Sequence, residues 1–169
     1  SKSVAHIVTD PPYEEYVHSD KRRGWELDAH GVKRPTKVVE MDFGHMTDTE
    51  RESVAYEMVR VCSGWVLVFC ALEGVRPWQD ALVEVGAKRR NTCVWVKTLC
   101  APKFQGDGPA AATEAIVAVW AGKGRSVWNA GGAHGIYQYP IDQRNRRHSC
   151  QKPLALMQQL LIDFTRPGE

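Results

Sequence analysis

A run of six apolar residues, from Trp65 to Cys70, constrains the fold of this chain more than any other feature. A strand with one face in water alternates apolar and polar residues, whereas a strand that is covered on both faces does not. Residues 114–120 are also nearly all apolar, and residues 92–97 have the pattern of another strand. These runs predict a sheet that carries helices on both faces.

Helices are predicted between and after these strands. Residues 47–50, Thr-Asp-Thr-Glu, have the form of a capping box, so a helix is predicted over residues 48–62. Another is predicted over residues 77–85, and a last helix begins at Pro153. The apolar face predicted for this last helix consists of Leu154, Met157, Leu161 and Phe164. Because strands and helices alternate, the sequence indicates an α/β fold with a largely parallel sheet.

Composition narrows the class of protein. With 169 residues, of which 43% are hydrophobic, the chain suits a single domain over residues 1–169. Its five cysteines show no CxxC spacing, which argues against a metal site and for a reducing cytoplasm. No apolar stretch approaches the roughly 20 residues of a membrane span, so we expect a soluble cytoplasmic protein. The net charge of +2 says little about nucleic acid, but basic residues cluster at 21–23, 88–90 and 144–148.

The tetrapeptide Asp10-Pro11-Pro12-Tyr13 is the most specific motif. It directly follows residues 5–9, a short and mostly apolar run typical of a buried strand. In α/β sheets, ligands bind beyond the carboxyl ends of the strands, where this tetrapeptide must lie. The Asp10 carboxylate and the Pro11 carbonyl can accept two hydrogen bonds of about 2.9 Å from an amine, and the Tyr13 ring can stack on a base. The alternative is a proline-rich strand terminator with an exposed tyrosine.

Two segments carry a resemblance to a known family. Residues 9–13, Thr-Asp-Pro-Pro-Tyr, resemble the catalytic motif of the DNA amino-methyltransferases, in the form commoner among enzymes that act on adenine. Residues 148–154, His-Ser-Cys-Gln-Lys-Pro-Leu, are similar to a family segment that begins a helix beside the cofactor site. The order of the two segments is that of the beta class, and further similarities lie at residues 64–70, 95–97, 104, 108 and 114–117.

The resemblance implies a Rossmann-like sheet of the kind found in methyltransferases that depend on S-adenosylmethionine (SAM). It implies methyl transfer from SAM to the exocyclic amine of adenine in double-stranded DNA, with the target base flipped out of the duplex. Catalytic roles are implied for Asp10, Pro11, Pro12 and Tyr13. Cofactor contacts are implied for Asp10, His148, Gln151 and Lys152. Contacts with the target base or the DNA are expected from Tyr13, Lys97, Phe104, Arg144 and Arg146.

The sequence also departs from the beta class. It has no counterpart of the strand and glycine-rich turn that wrap the amino-acid part of SAM in that class. We therefore expect an incomplete sheet, with the missing strands in a longer polypeptide, in a second chain or in the partner of a homodimer. Residues 14–40, predicted as a long mobile loop, and residues 123–147 are the candidates for target recognition in a bacterial or phage-encoded enzyme.

Other functions stay open at the level of sequence. The same pair of acceptors serves the exocyclic amine of cytosine. A non-catalytic nucleic-acid-binding subunit would keep the fold and lack the cofactor turn. Methyltransferases that act on small molecules or on protein glutamine resemble an Asn-Pro-Pro-Tyr pattern with another order of motifs, which makes them the weakest match.

Overall fold

The computed structural model describes residues 2–13, 25–27, 33–35, 45–100, 102, 108–141 and 150–169. The strands are β1 (Ile7–Thr9), β2 (Trp25–Leu27), β3 (Lys33–Pro35), β4 (Trp65–Cys70), β5 (Lys88–Arg89), β6 (Cys93–Lys97), β7 (Thr113–Trp120) and β8 (Ile136–Tyr139). The helices are α1 (Asp48–Val61), α2 (Val75–Glu84) and α3 (Leu154–Phe164), with a short 3-10 turn at Leu72–Gly74. The predictions for Phe104, Arg144, Arg146 and His148, and for most of the loop 14–40, lie outside the described residues.

A six-stranded mixed sheet forms the centre of the structure, in the order β1-β4-β7-β6-β8 with β5 beside β7. Strand β1 runs parallel to β4, and β6 runs parallel to β8. Strand β7 is antiparallel to β4, β5 and β6, so the predicted largely parallel sheet is wrong. Strand β7 pairs directly with β6, the strand before it, and no described helix lies between them to carry the chain back across the sheet, as a parallel pair would need. The start of β7 therefore lies at the same edge as the ends of β1, β4 and β6.

Helices cover both faces of this sheet, as the apolar runs predicted. Helices α1 and α2 pack on one face, where Val66, Val68 and Cys70 of β4 point. Helix α3 packs on the other face, where Trp65, Leu67 and Phe69 of the same strand point. Every residue of β4 is consequently buried, which explains why this strand lacks alternation.

Two sequence predictions concern the helices: the capping box at the start of α1 and the buried face of α3. The predicted capping box is confirmed: the Thr47 amide donates to the Glu50 carboxylate at 2.8 Å, and the Glu50 amide donates to the Thr47 hydroxyl at 3.3 Å. The predicted apolar face of α3 is confirmed for Met157 and Phe164, which pack in the core, and wrong for Leu154 and Leu161, which are 68% and 48% exposed. The buried stripe of α3 consists of Leu156, Leu160, Asp163 and Phe164.

Two further regions contain strands that the sequence did not predict. Strand β8 lies within residues 123–147 and pairs with β6, with Tyr137 opposite Trp95. Within residues 14–40, β2 and β3 form a two-stranded antiparallel sheet. Strand β1 pairs with β4 alone in the described part of the chain, so its other edge is open there. No described helix is both long and apolar enough to cross a membrane.

Candidate active site at the ends of strands β1, β4 and β6

The tetrapeptide 10–13 lies directly beyond β1, at the edge of the sheet where β4 and β6 also end. The Asp10 side chain is 33% exposed, and Tyr13 is half-buried. The Tyr13 carbonyl accepts a hydrogen bond from the Met46 amide at 3.3 Å, which ties this segment to the residues that precede α1. The motif is therefore held at a strand tip with one carboxylate partly open to solvent.

Lys152 joins the two segments that carried the resemblance. Its Nζ donates to Oδ2 of Asp10 at 2.7 Å and lies 3.1 Å from Oε2 of Glu114. It also lies 3.4 Å from the Tyr13 hydroxyl. Lys152 lies just before α3, and its side chain is only 10% exposed. The structure thus brings together Asp10, Tyr13 and Lys152, which sequence reasoning assigned to one site.

Glu114 belongs to the site, although no role was predicted for it from the sequence. The Tyr13 hydroxyl donates to its Oε2 at 2.8 Å, and Nζ of Lys97 forms an ion pair with its Oε1 at 2.7 Å. The only sign of Glu114 in the sequence was an acidic residue at the start of an otherwise apolar strand. In a parallel sheet the start of β7 would lie at the opposite edge, whereas the antiparallel direction of β7 puts Glu114 close to Asp10.

The pKa values of the Asp10 and Glu114 carboxyl groups are shifted in opposite directions. Burial raises the pKa of Asp10, and the neighbouring Lys152 ammonium lowers it by less, so the pKa lies above its usual value. Burial also raises the pKa of Glu114, but Lys152 and Lys97 together outweigh burial, so the pKa lies below its usual value. The difference follows from the number of cations, since Glu114 forms ion pairs with both lysines.

Tyr13 acts as a hydrogen-bond donor in this cluster. Burial raises the pKa of its hydroxyl above the usual value, and the charges of Glu114 and Asp10 raise it further. The phenol is consequently neutral at physiological pH and keeps its proton on the bond to Glu114. Because that bond fixes the hydroxyl, it also fixes the orientation of the ring.

Aromatic rings surround the Lys152 ammonium. The nitrogen lies 5.6 Å from the centre of the Tyr13 ring and 5.0 Å from the centre of the Phe69 ring. Both distances fall within the range of a cation–π contact. Phe69 belongs to β4 and is 1% exposed, so it forms a buried apolar wall of the site.

The other predicted site residues in the described part of the chain are Pro11, Pro12, Gln151 and Lys97. Pro11 and Pro12 are half-buried between Asp10 and Tyr13, and Gln151 is exposed beside Lys152. Lys97 is engaged with Glu114, so its predicted contact with DNA stays a prediction. In the described residues, no group of three or more His, Cys, Asp or Glu side chains is arranged to hold a metal ion.

A mixed sheet with helices on both faces gives the chain a Rossmann-like fold, and its polar cluster lies where strands β1, β4 and β6 end. The chain superposes on the crystal structure of the M1.HpyAVI-SAM complex with a TM-score of 0.68, at 18% sequence identity. The match covers 98% of this chain and 67% of that one. A structure of M1.HpyAVI gives a TM-score of 0.64 with the same identity and coverage. No protein-family model and no curated protein sequence matches the chain.

Proposed function

We propose that this chain transfers a methyl group from SAM to the exocyclic amine of adenine in double-stranded DNA. The observation that carries the proposal is the Asp10 carboxylate at the tip of β1, partly exposed and next to the anchored ring of Tyr13. The shared fold with M1.HpyAVI, which has been solved with SAM, supports the choice of cofactor.

The chemistry required is activation of a weak nucleophile. The nitrogen lone pair of an aromatic amine is delocalised into the ring, so the amine must be drawn towards tetrahedral geometry before it can attack. Asp10 and the Pro11 carbonyl supply two acceptors for the amine hydrogens on adjacent residues. As the nitrogen forms its bond to the methyl carbon it gains positive charge, and the Asp10 carboxylate stabilises that charge until the surplus proton is released to water.

Tyr13 supplies a surface for the base. A flipped base needs a flat partner to replace the stacking that it loses in the duplex, and stacking on an aromatic ring is worth roughly 1–3 kcal/mol. The bond from the Tyr13 hydroxyl to Glu114 keeps the ring from rotating away. Phe69 behind the site is buried and adds an apolar wall.

The residues present fit SAM as the methyl donor. SAM carries a positive sulfonium, which suits a partly exposed carboxylate such as Asp10, and a polar amino-acid group, which suits exposed Gln151. Asp10, Gln151, Lys152 and His148 would hold it. When bound, SAM supplies an electrophilic methyl group whose bonding electrons stay on sulfur.

The test is transfer of tritiated methyl groups to duplex DNA, followed by hydrolysis and identification of the labelled base. We expect methyladenine from the wild type, and a fall in kcat/KM of roughly 100-fold or more for Asp10→Ala and Asp10→Asn. Asp80→Asn is the matched control, because Asp80 is an exposed aspartate on α2 paired with Arg76. Its activity should equal that of the wild type.

Other results of this assay would change or refute the proposal. Labelled methylcytosine would move the proposal to the cytosine amine, which the same acceptors serve. DNA binding without any methyl transfer would favour a non-catalytic binding subunit. Full activity in Asp10→Ala would refute the mechanism.

A further inference from the structure

The Lys152 ammonium makes the contacts that a target amine would need. It donates to Asp10 Oδ2 at 2.7 Å, as the amine must, and it lies against the ring of Tyr13, where the base must stack. An ammonium and an aromatic amine are both nitrogen donors of hydrogen bonds. In this structure the amine position beside Asp10 is therefore filled by a nitrogen of the chain itself.

A second acceptor for this ammonium is already in place. Glu114 Oε2 lies 3.1 Å from Nζ, and Lys97 binds the other oxygen of the same carboxylate at 2.7 Å. Moving Nζ off Asp10 therefore leaves it paired with Glu114. Without that carboxylate, the movement would leave a nearly buried ammonium with no counter-charge, which is strongly unfavourable.

We propose that Lys152 is a displaceable stand-in for the target amine, and that Glu114 is the positioning residue that receives its ammonium when a base enters. This inference rests on the proposed function, since it assumes that an amine-bearing base binds at Asp10. It gives Glu114 a role beyond orienting Tyr13. It also explains how Asp10 is kept paired before the base arrives.

The experiment is a double-variant cycle on base binding rather than on catalysis. The probes are fluorescent single-stranded octamers of deoxyadenylate and of thymidylate, because unpaired bases need no flipping and thymine has no exocyclic amine. The quantity compared is the ratio of the two dissociation constants at fixed salt, which cancels the contribution of the phosphates. The proteins are the wild type, Lys152→Met, Glu114→Gln and the double variant.

The proposal predicts a non-additive cycle. Lys152→Met should raise the preference for deoxyadenylate by about 10-fold, because nothing competes for Asp10. Glu114→Gln should lower the preference by about 10-fold, because the displaced ammonium has no carboxylate to receive it. In the double variant the loss should vanish, and the preference should match that of Lys152→Met within about twofold. Arg76→Met, at an exposed position on α2 outside the basic clusters, controls for the loss of one positive charge and should leave the ratio unchanged.

Two results would overturn the proposal. An additive cycle would mean that Glu114 acts only by holding Tyr13, and an unchanged preference in Lys152→Met would mean that Lys152 does not compete for Asp10. Either result can coexist with methyl transfer that depends on Asp10, in which case the proposed function stands and this inference fails. The predicted cycle in a protein that transfers no methyl group would support the amine site alone.

Discussion

The opposite pKa shifts of Asp10 and Glu114 predict opposite effects on stability. Because the pKa of Asp10 is raised in the folded protein, its ionisation opposes folding at neutral pH, and this cost is relieved as pH falls through the raised value. Because the pKa of Glu114 is lowered, its ionised form stabilises the fold at neutral pH, and this contribution is lost as pH falls through the lowered value. Asp10→Asn should therefore raise the free energy of unfolding at pH 7, and Glu114→Gln should lower it by about 1–3 kcal/mol.

Urea unfolding at pH 7 and at about pH 3 measures both effects, since carboxylates, including one whose pKa is lowered, lose much of their charge between those values. Both differences from the wild type should shrink at the lower pH. Asp80→Asn should change little, because exposed ion pairs contribute about 0–1 kcal/mol. A destabilised Asp10→Asn at pH 7 would show instead that the bond to Lys152 outweighs the burial of Asp10.

The same cluster shows how far site residues follow from sequence. Asp10, Tyr13 and Lys152 were predictable, because they belong to short motifs with a fixed place at a strand end or a helix start. Glu114 was not, because its place depends on the direction of β7, and an apolar run carries no information on direction. The pairing of Lys97 with Glu114 was hidden for the same reason.

Among the elements, strand β1 is preceded by a segment that lies very close to Gly64, the residue before β4. A Cβ atom on Gly64 would lie 2.5 Å from the Ala5 carbonyl oxygen and 2.5 Å from Nδ1 of His6. That His6 nitrogen accepts a hydrogen bond from the Trp65 amide at 3.0 Å. Gly64→Ala must therefore push this segment away from β4, and Asp10 lies at the far end of the strand that it begins.

We expect Gly64→Ala to lower the free energy of unfolding by about 1–3 kcal/mol, the usual cost of forcing extra volume into a packed region. Methyl transfer should fall as well, because β1 positions Asp10. Gly132→Ala is the matched control: a Cβ there meets nothing within 4 Å, so its effect should stay within about 0.5 kcal/mol. Equal stabilities of the two variants would show that the β1 segment yields without cost.

The sequence predicted which segments are strands or helices more reliably than it predicted the direction of a strand or the buried face of a helix. The apolar run of β4 predicted its bounds, because six residues are too few for a typical buried helix and fit a strand that is covered on both faces. The face of α3 was ambiguous, because apolar residues surround most of this helix and two stripes satisfy a helical period. Strand β8, with the sequence IYQY, is short and lies in a glycine-rich stretch, so its pairing with β6 decides its conformation.

At the scale of the whole molecule, the two cores share their strands. Val66 and Val68 belong to the core under α1 and α2, while Leu67 and Phe69 belong to the core under α3. Strand β7 divides its residues in the same way. Because melting either core would expose one apolar face of β4 and β7, we expect neither layer of helices to separate while the other stays folded. The described structure should therefore unfold as one cooperative unit.

Substitutions in each layer test this cooperativity. Leu82 on α2 and Leu160 on α3 are both fully buried, so Leu82→Ala and Leu160→Ala should each cost about 2–5 kcal/mol. Far-ultraviolet circular dichroism, which follows the helices, and tryptophan fluorescence, which follows both cores, should give coincident urea transitions in both variants. Leu161→Ala, at a half-exposed position on the same helix as Leu160, should shift the transition little. If Leu160→Ala splits the transition, with circular dichroism and fluorescence reporting different midpoints, α3 unfolds separately and the site loses Lys152 before it loses Asp10.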